Sequence, residues 1–203
     1  MKIGLVPISA KPYHRGHHTL VERAAQENDA VVMFVSISDR QRSGEFPVMG
    51  DTMLEIWKKE LEPIMPSNVR IEYGGSPVRK VYELIEVACA DESTNTFTIY
   101  SDVVDTAANY DSANRAKYMS PLCEKGLVVF AAEINPDAFT RGLGTPDVRG
   151  EDVRKALSED NFLAFASAMP GDVNALAVFN MLRNATTVTE SPESSHVFFG
   201  GRF

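Results

Sequence analysis

The feature that most constrains the fold is a short apolar run feeding a glycine–histidine turn. Lys2-Ile3-Gly4-Leu5-Val6-Pro7-Ile8-Ser9 leads into Pro12-Tyr13-His14-Arg15-Gly16-His17-His18-Thr19-Leu20. The first run is too short for a helix and suits a strand covered on both faces. From His17 onward the apolar positions are Leu20, Val21, Ala24 and Ala25, the stripe of an amphipathic helix that Asn28-Asp29 stops. A strand turning at glycine into a helix start presents backbone N–H groups and a positive dipole end to an anion. Two histidines three residues apart sit at that turn, so a phosphate site is the first expectation.

The pattern then repeats. Ala30–Ser36 reads as a second buried strand, making a strand–helix–strand unit with a right-handed parallel crossover. Residues 37–50 form a long polar connection. Asp51 or Thr52 is the expected cap of a helix striped by Leu54, Trp57 and Leu61. Val69–Tyr73 alternates as a strand, and Gly74-Gly75-Ser76-Pro77 opens a helix carrying Val78, Val81, Tyr82, Ile85 and Cys89. Thr96–Tyr100 is a fourth strand, residues 111–124 a helix and Leu127–Ala131 a fifth strand. Residues 133–150 read as irregular. Helical patterns follow at 153–157, 162–166 and 173–182, and a Ser/Thr-rich tail from 185 to 203 ends in Phe198-Phe199-Gly200-Gly201-Arg202-Phe203. The expected architecture is a single α/β domain over residues 1–184, a Rossmann-like doubly wound sheet of about five mainly parallel strands with helices on both faces. The tail is read either as a disordered end or as a segment packing on a second subunit, making a homo-oligomer.

Charge narrows the partners. With 28 acidic against 20 basic side chains the formal net charge is −8, which disfavours bulk nucleic-acid or anionic-membrane binding. No apolar run approaches the roughly 18 residues needed to span a bilayer. Two widely separated cysteines, Cys89 and Cys123, lack metal spacing and read as buried thiols in a reducing, cytoplasmic setting.

Ligands in such sheets bind beyond the carboxyl ends of the strands. Four segments fall there: 9–18, 36–42, 101–106 and 141–154. The candidate chemistry lies in them: Lys11, His14, Gly16 and His17 after strand one, Arg40 and Arg42 after strand two, Asp102 after strand four, and Arg141, Arg149 and Arg154 after strand five.

Pro12-x-His14-x-Gly16-His17-x-x-Leu20 directly after a first strand resembles the HxGH motif of the nucleotidylyltransferase superfamily. That superfamily includes the nicotinamide-mononucleotide, phosphopantetheine and glycerol-phosphate nucleotidylyltransferases. The resemblance covers roughly residues 2–170. Ser36-x-x-Asp39-Arg40-x-Arg42 before a Trp-bearing helix is similar to smaller, phage-type members, and Tyr100-Ser101-Asp102 stands where the family often has Gly-x-Asp near the ribose. Val148-Arg149-Gly150-Glu151-Asp152-Val153-Arg154 matches the family's Ile-Ser-Gly/Ser-Thr-x-Ile-Arg motif in part. Arginine stands at the serine position and glutamate at the threonine position, so Arg149 supplies a cation where the family has a hydroxyl, and Glu151 beside a phosphate would repel it.

The resemblance implies nucleotidyl transfer, adenylyl preferred to cytidylyl, from a nucleoside triphosphate onto a small phosphate-bearing acceptor. Nicotinamide mononucleotide, giving NAD, leads on family analogy. A phosphate monoester is already anionic at neutral pH, so such a reaction needs alignment and charge stabilisation rather than a general base. The implied roles are His14, His17, Lys11 and Arg154 in catalysis; Ile8, Ser9, Gly16, Asp102, Arg149 and Gly150 on the nucleotide, Gly16 by admitting the triphosphate close to the backbone; and Arg40 and Arg42 on the acceptor. The implied cofactor is Mg²⁺ carried by substrate phosphates, with no protein metal cage. Two other readings stand beside this one: a nucleotide-binding sensor without turnover, favoured by Arg149 and Glu151, and a metal-dependent hydrolase, with zinc on His14, His17 and His18.

Overall fold

A computed structural model describes residues 1–187, the side chains through 186. Five parallel strands form one sheet: β1 (Lys2–Ile8), β2 (Ala30–Val35), β3 (Val69–Tyr73), β4 (Thr96–Ile99) and β5 (Val128–Phe130), in the order β3-β2-β1-β4-β5. This is the expected α/β Rossmann-like sheet, parallel throughout. Successive residues alternate between two cores. Val6, Ile8, Val31, Met33 and Val35 face one layer of helices, and Leu5, Val32, Phe34, Phe97 and Ile99 face the other.

The first layer begins with α1 (Arg15–Glu27), which buries Leu20, Val21 and Ala24. It continues with α2 (Gly50–Ile56), extended by a π-turn over Trp57–Leu61 and a 3-10 turn over Glu62–Ile64. The second layer holds α3 (Pro77–Ala90), then α4 (Val103–Asn109), α5 (Ser112–Tyr118) and α6 (Ser120–Glu124). After β5 come α7 (Ala131–Ile134), which takes the expected last residue of the fifth strand, and a 3-10 turn at Pro136–Phe139 within the stretch expected to be irregular. Next are α8 (Gly150–Ser158), α9 (Phe162–Ala168) and α10 (Ala175–Thr187), which return to the first layer beside α2.

Several boundaries differ from expectation for physical reasons. Helix α2 begins at Gly50, with Met49 at its N-cap in place of Asp51 or Thr52, because the Gly50 N–H is taken by Asp39 Oδ1 at 2.7 Å. The expected 111–124 helix breaks at Met119, and Pro121 near the start of α6 marks the new beginning. Helix α10 runs to Thr187, past residue 184 where the domain was expected to end. The remainder of that tail, including Phe198 and Phe199, lies outside the described residues. Among the described residues, no helix is long and apolar enough to cross a membrane.

One residue explains where the sheet opens. Leu5 faces β4 and accepts a hydrogen bond from the Tyr100 N–H at 2.9 Å, whereas Ile8 faces β2 and accepts from the Ser36 N–H at 3.4 Å. By the same alternation Pro7 faces β4 beyond the last pairing, Leu5 with Ile99. A proline has no N–H to leave unsatisfied there, so β1 and β4 separate without loss. The crevice formed at this point is the switch point of the strand order.

Candidate active site

A cleft of about 370 Å³ lies over that crevice. Its walls include Ile8, Ser9, Lys11, His14, Gly16 and His17 from the β1–α1 turn, Arg40 from the connection after β2, Asp102 after β4, and Arg149, Gly150 and Arg154 at α8. Of the residues given catalytic, nucleotide or acceptor roles from sequence, Arg42 alone is absent from this wall. It sits exposed on the outer side of the loop, facing a groove with Met49 and Ala185.

The two histidines are held by stacking. Their rings lie 3.7 Å apart and 21° from parallel. Tyr13 stacks on His17 at 5.5 Å, and Trp57 meets Tyr13 edge-on at 4.8 Å. Trp57 thus backs the pair from α2. Gly16 is glycine because a Cβ there would stand 3.1 Å from the His14 ring, a more immediate reason than approach of a triphosphate. His14 is the N-cap of α1, and its backbone N–H donates to His17 Nδ1 at 3.3 Å. That bond leaves the proton of a neutral His17 on Nε2, as a donor. Stacked rings send their in-plane lone pairs in parallel directions, which do not converge on one ion. His18 turns away to bond Tyr13 Oη at 3.0 Å, so the three histidines do not form the zinc site considered from sequence.

Both rings of the pair are held neutral. Burial, then the charges of Arg141 and Arg154, push His14 down to about 4, with Asp152 acting against them. Burial, His14 and Arg141 hold His17 well below the usual imidazole value. Between pH 6.5 and 4 the unfolded chain therefore takes up protons that these folded rings refuse, so their contribution makes stability fall as the pH is lowered. The expected NMR result is that the His14 ring carbon shifts stay flat from pH 8 to 5.5. A titration of His14 near 6.5 would contradict the buried, cation-flanked placement.

The cations are built into the frame. Lys11 is 7% exposed, and its ammonium donates to the Ser36 carbonyl at 2.8 Å. Burial lowers it to about 8, with Asp39 opposing. Arg154 is 6% exposed, and its Nη1 donates to the Lys11 carbonyl at 2.7 Å. A Cβ on Gly150 would lie 2.9 Å from that nitrogen, so glycine there lets the guanidinium cross the helix start. Glu151 is exposed and outside the cleft wall, 3.4 Å from Arg149, so the repulsion expected of it is directed at solvent and partly balanced by that arginine.

Two features revise the sequence reading after β4. Asp102 begins α4, a helix that was not foreseen. Its Oδ1 accepts from the Asp105 N–H at 2.7 Å and its Oδ2 is ion-paired with Arg141. Asp102 thus anchors Arg141, and each of its oxygens keeps a further lone pair. Arg141 belongs to the wall and acts electrostatically on both histidines. Its place among the post-β5 cations was visible in the sequence, but its partner was not. Four buried polar atoms in residues of this wall make no hydrogen bond: His14 Nδ1, Tyr110 Oη, Thr145 Oγ1 and Arg154 Nε, the last ion-paired with Glu45 instead. A polar ligand would satisfy such atoms.

The site is therefore a cationic cleft with two stacked, neutral imidazoles at a helix N-terminus. Residues 3–72, from β1 into β3 and including both histidines, match the family model of the citrate lyase ligase C-terminal domain. That family belongs to the nucleotidyltransferase-like, HxGH-type superfamily. No curated protein matches the chain.

Proposed function

We propose that this protein transfers AMP from ATP to a small anionic acceptor and releases pyrophosphate. The observation that carries this reading is the stacked His14–His17 pair at the start of α1, sharing one cleft with Lys11, Arg40, Arg141, Arg149 and Arg154. The family match over residues 3–72 supports it, because adenylyl transfer from ATP is chemistry of that superfamily.

An acceptor oxyanion attacks the α-phosphorus. A new P–O bond forms as the bond to pyrophosphate breaks, and no proton need move. Neutral imidazole N–H groups from His14 and His17 donate to the α-phosphate oxygens as their charge grows. The α1 N-terminus adds its dipole in the same direction. Lys11 keeps N–H donors beyond the one given to Ser36, and with Arg154 it takes the charge of the departing pyrophosphate. Arg141 and Arg149 hold the triphosphate, and Arg40, bridged to Arg154 by Glu45, shares the pyrophosphate end with it in place of the acceptor role expected of it. Magnesium arrives as the salt of the triphosphate and is part of the substrate. Among the described residues no group of three His, Cys, Asp or Glu stands ready to cage an ion.

The acceptor is a phosphate monoester, with nicotinamide mononucleotide leading. The word ligase in the name of the matched family favours a second reading, in which a carboxylate attacks and forms an acyl adenylate. Both release pyrophosphate, so one screen separates them. Incubation of the protein with ATP, magnesium and a panel of phosphate monoesters and carboxylic acids is expected to release pyrophosphate with one acceptor class. Tight ATP binding without release for any acceptor would favour a nucleotide-binding sensor on the same fold.

A further inference from the structure

The connection between β2 and α2 is a built loop. Arg40 and Val48 exchange backbone hydrogen bonds at 2.8 and 3.0 Å, and the Glu45 N–H donates to the Arg42 carbonyl at 3.1 Å. This pinch delivers one carboxylate to two guanidiniums. Glu45 accepts from Arg40 through both oxygens, at 2.8 and 3.0 Å, and its Oε2 also stands 2.9 Å from Arg154 Nε. Arg40 and Arg154 line the cleft. Glu45 does not; it lines the surface grooves behind them with Pro47.

We infer that Glu45 is a resident counter-ion that tunes how tightly this end of the cleft holds phosphate. The inference rests on the nucleotide reading above. Two guanidiniums side by side repel, and a shared carboxylate offsets that repulsion. The same negative charge lies just behind the groups that face the substrate, so it also weakens their pull on an anion. A transferase that expels pyrophosphate gains from such moderation, because a product held by every cation at full strength leaves slowly. Glu45 thereby sets affinity through Arg40 and Arg154 without touching the ligand.

Inorganic pyrophosphate is the probe, titrated calorimetrically at low and high salt. Glu45→Gln keeps the length of the side chain and an oxygen for Arg40 but removes the charge. It is expected to bind pyrophosphate several-fold tighter than wild type, with the difference shrinking at high salt as screening takes over. Glu45→Asp restores the charge and is expected to return affinity toward wild type. Arg40→Gln, which removes a cation of the cleft, is expected to weaken pyrophosphate by about tenfold. If Glu45 only braced the loop, Glu45→Gln would bind the same or more weakly, and that result overturns the proposal while leaving the nucleotide reading intact. Unchanged affinity in Arg40→Gln overturns it as well, and serves even if Glu45→Gln fails to fold. Wild-type protein that binds no pyrophosphate overturns the nucleotide reading and this inference together.

Discussion

His17→Ala is expected to slow adenylyl transfer by on the order of 10²–10³-fold while changing ATP affinity far less, the usual effect of deleting one donor aimed at developing charge. Nε2 of His17 is the nitrogen that carries the proton, because Nδ1 is spent on the His14 N–H. Removing the ring also removes the surface on which His14 stacks and the face that Tyr13 covers. The two histidines act as a unit, so His14→Ala combined with His17→Ala should cost much less than the product of the single losses. Asparagine at 17 keeps an N–H donor and should recover part of the rate. The measurement is the initial rate of pyrophosphate release with the acceptor found by the screen. Full activity in His17→Ala would exclude the mechanism.

The largest effect on stability is expected from Gly50→Ala. A Cβ at this position would stand 1.7 Å from the Ile37 carbonyl oxygen and 2.7 Å from its carbon. Backbone cannot swing aside as a side-chain end can, so either α2 or the 37–50 loop must move. Movement breaks the hydrogen bond from the Gly50 N–H to Asp39 and loosens the loop that carries Arg40 and Glu45. Overpacking plus one lost hydrogen bond amounts to roughly 3–4 kcal/mol, which corresponds to a fall of about 10 °C in Tm for a domain of this size. Gly171→Ala is the control, since no atom lies within 4 Å of its Cβ position, and it should melt within a degree or two of wild type. Thermal melts of the two variants beside wild type decide it. Equal melting of Gly50→Ala and Gly171→Ala would show that the helix start is not locked against Ile37.

Legibility followed periodicity. Strands β1 to β5 were readable because a buried parallel strand is a short apolar run, and α1 and α3 because each buries a regular stripe. Helix α4 was missed because it buries Thr106 alone and leaves Val104 70% exposed, so no stripe exists to be read. The HxGH residues were readable because His14, Gly16 and His17 lie within one turn and depend on local geometry. Arg40 and Arg42 look alike in sequence, yet one enters the cleft and the other faces outward, since the orientation of each is set by the Arg40–Val48 pinch.

The order of the strands, helices α1 and α3, the anion-binding turn after β1 and the gathering of cations on one rim follow from the chain alone, because each depends on neighbours within a few residues. Which cations face the cleft, what restrains them and why the histidines stay neutral were decided by tertiary structure. Arg141 meets Asp102, Arg154 meets Lys11 and Glu45, and Trp57 backs Tyr13 across long stretches of chain. Those meetings depend on burial and on the field of neighbouring charges, which exist only once the sheet has brought its strand ends together.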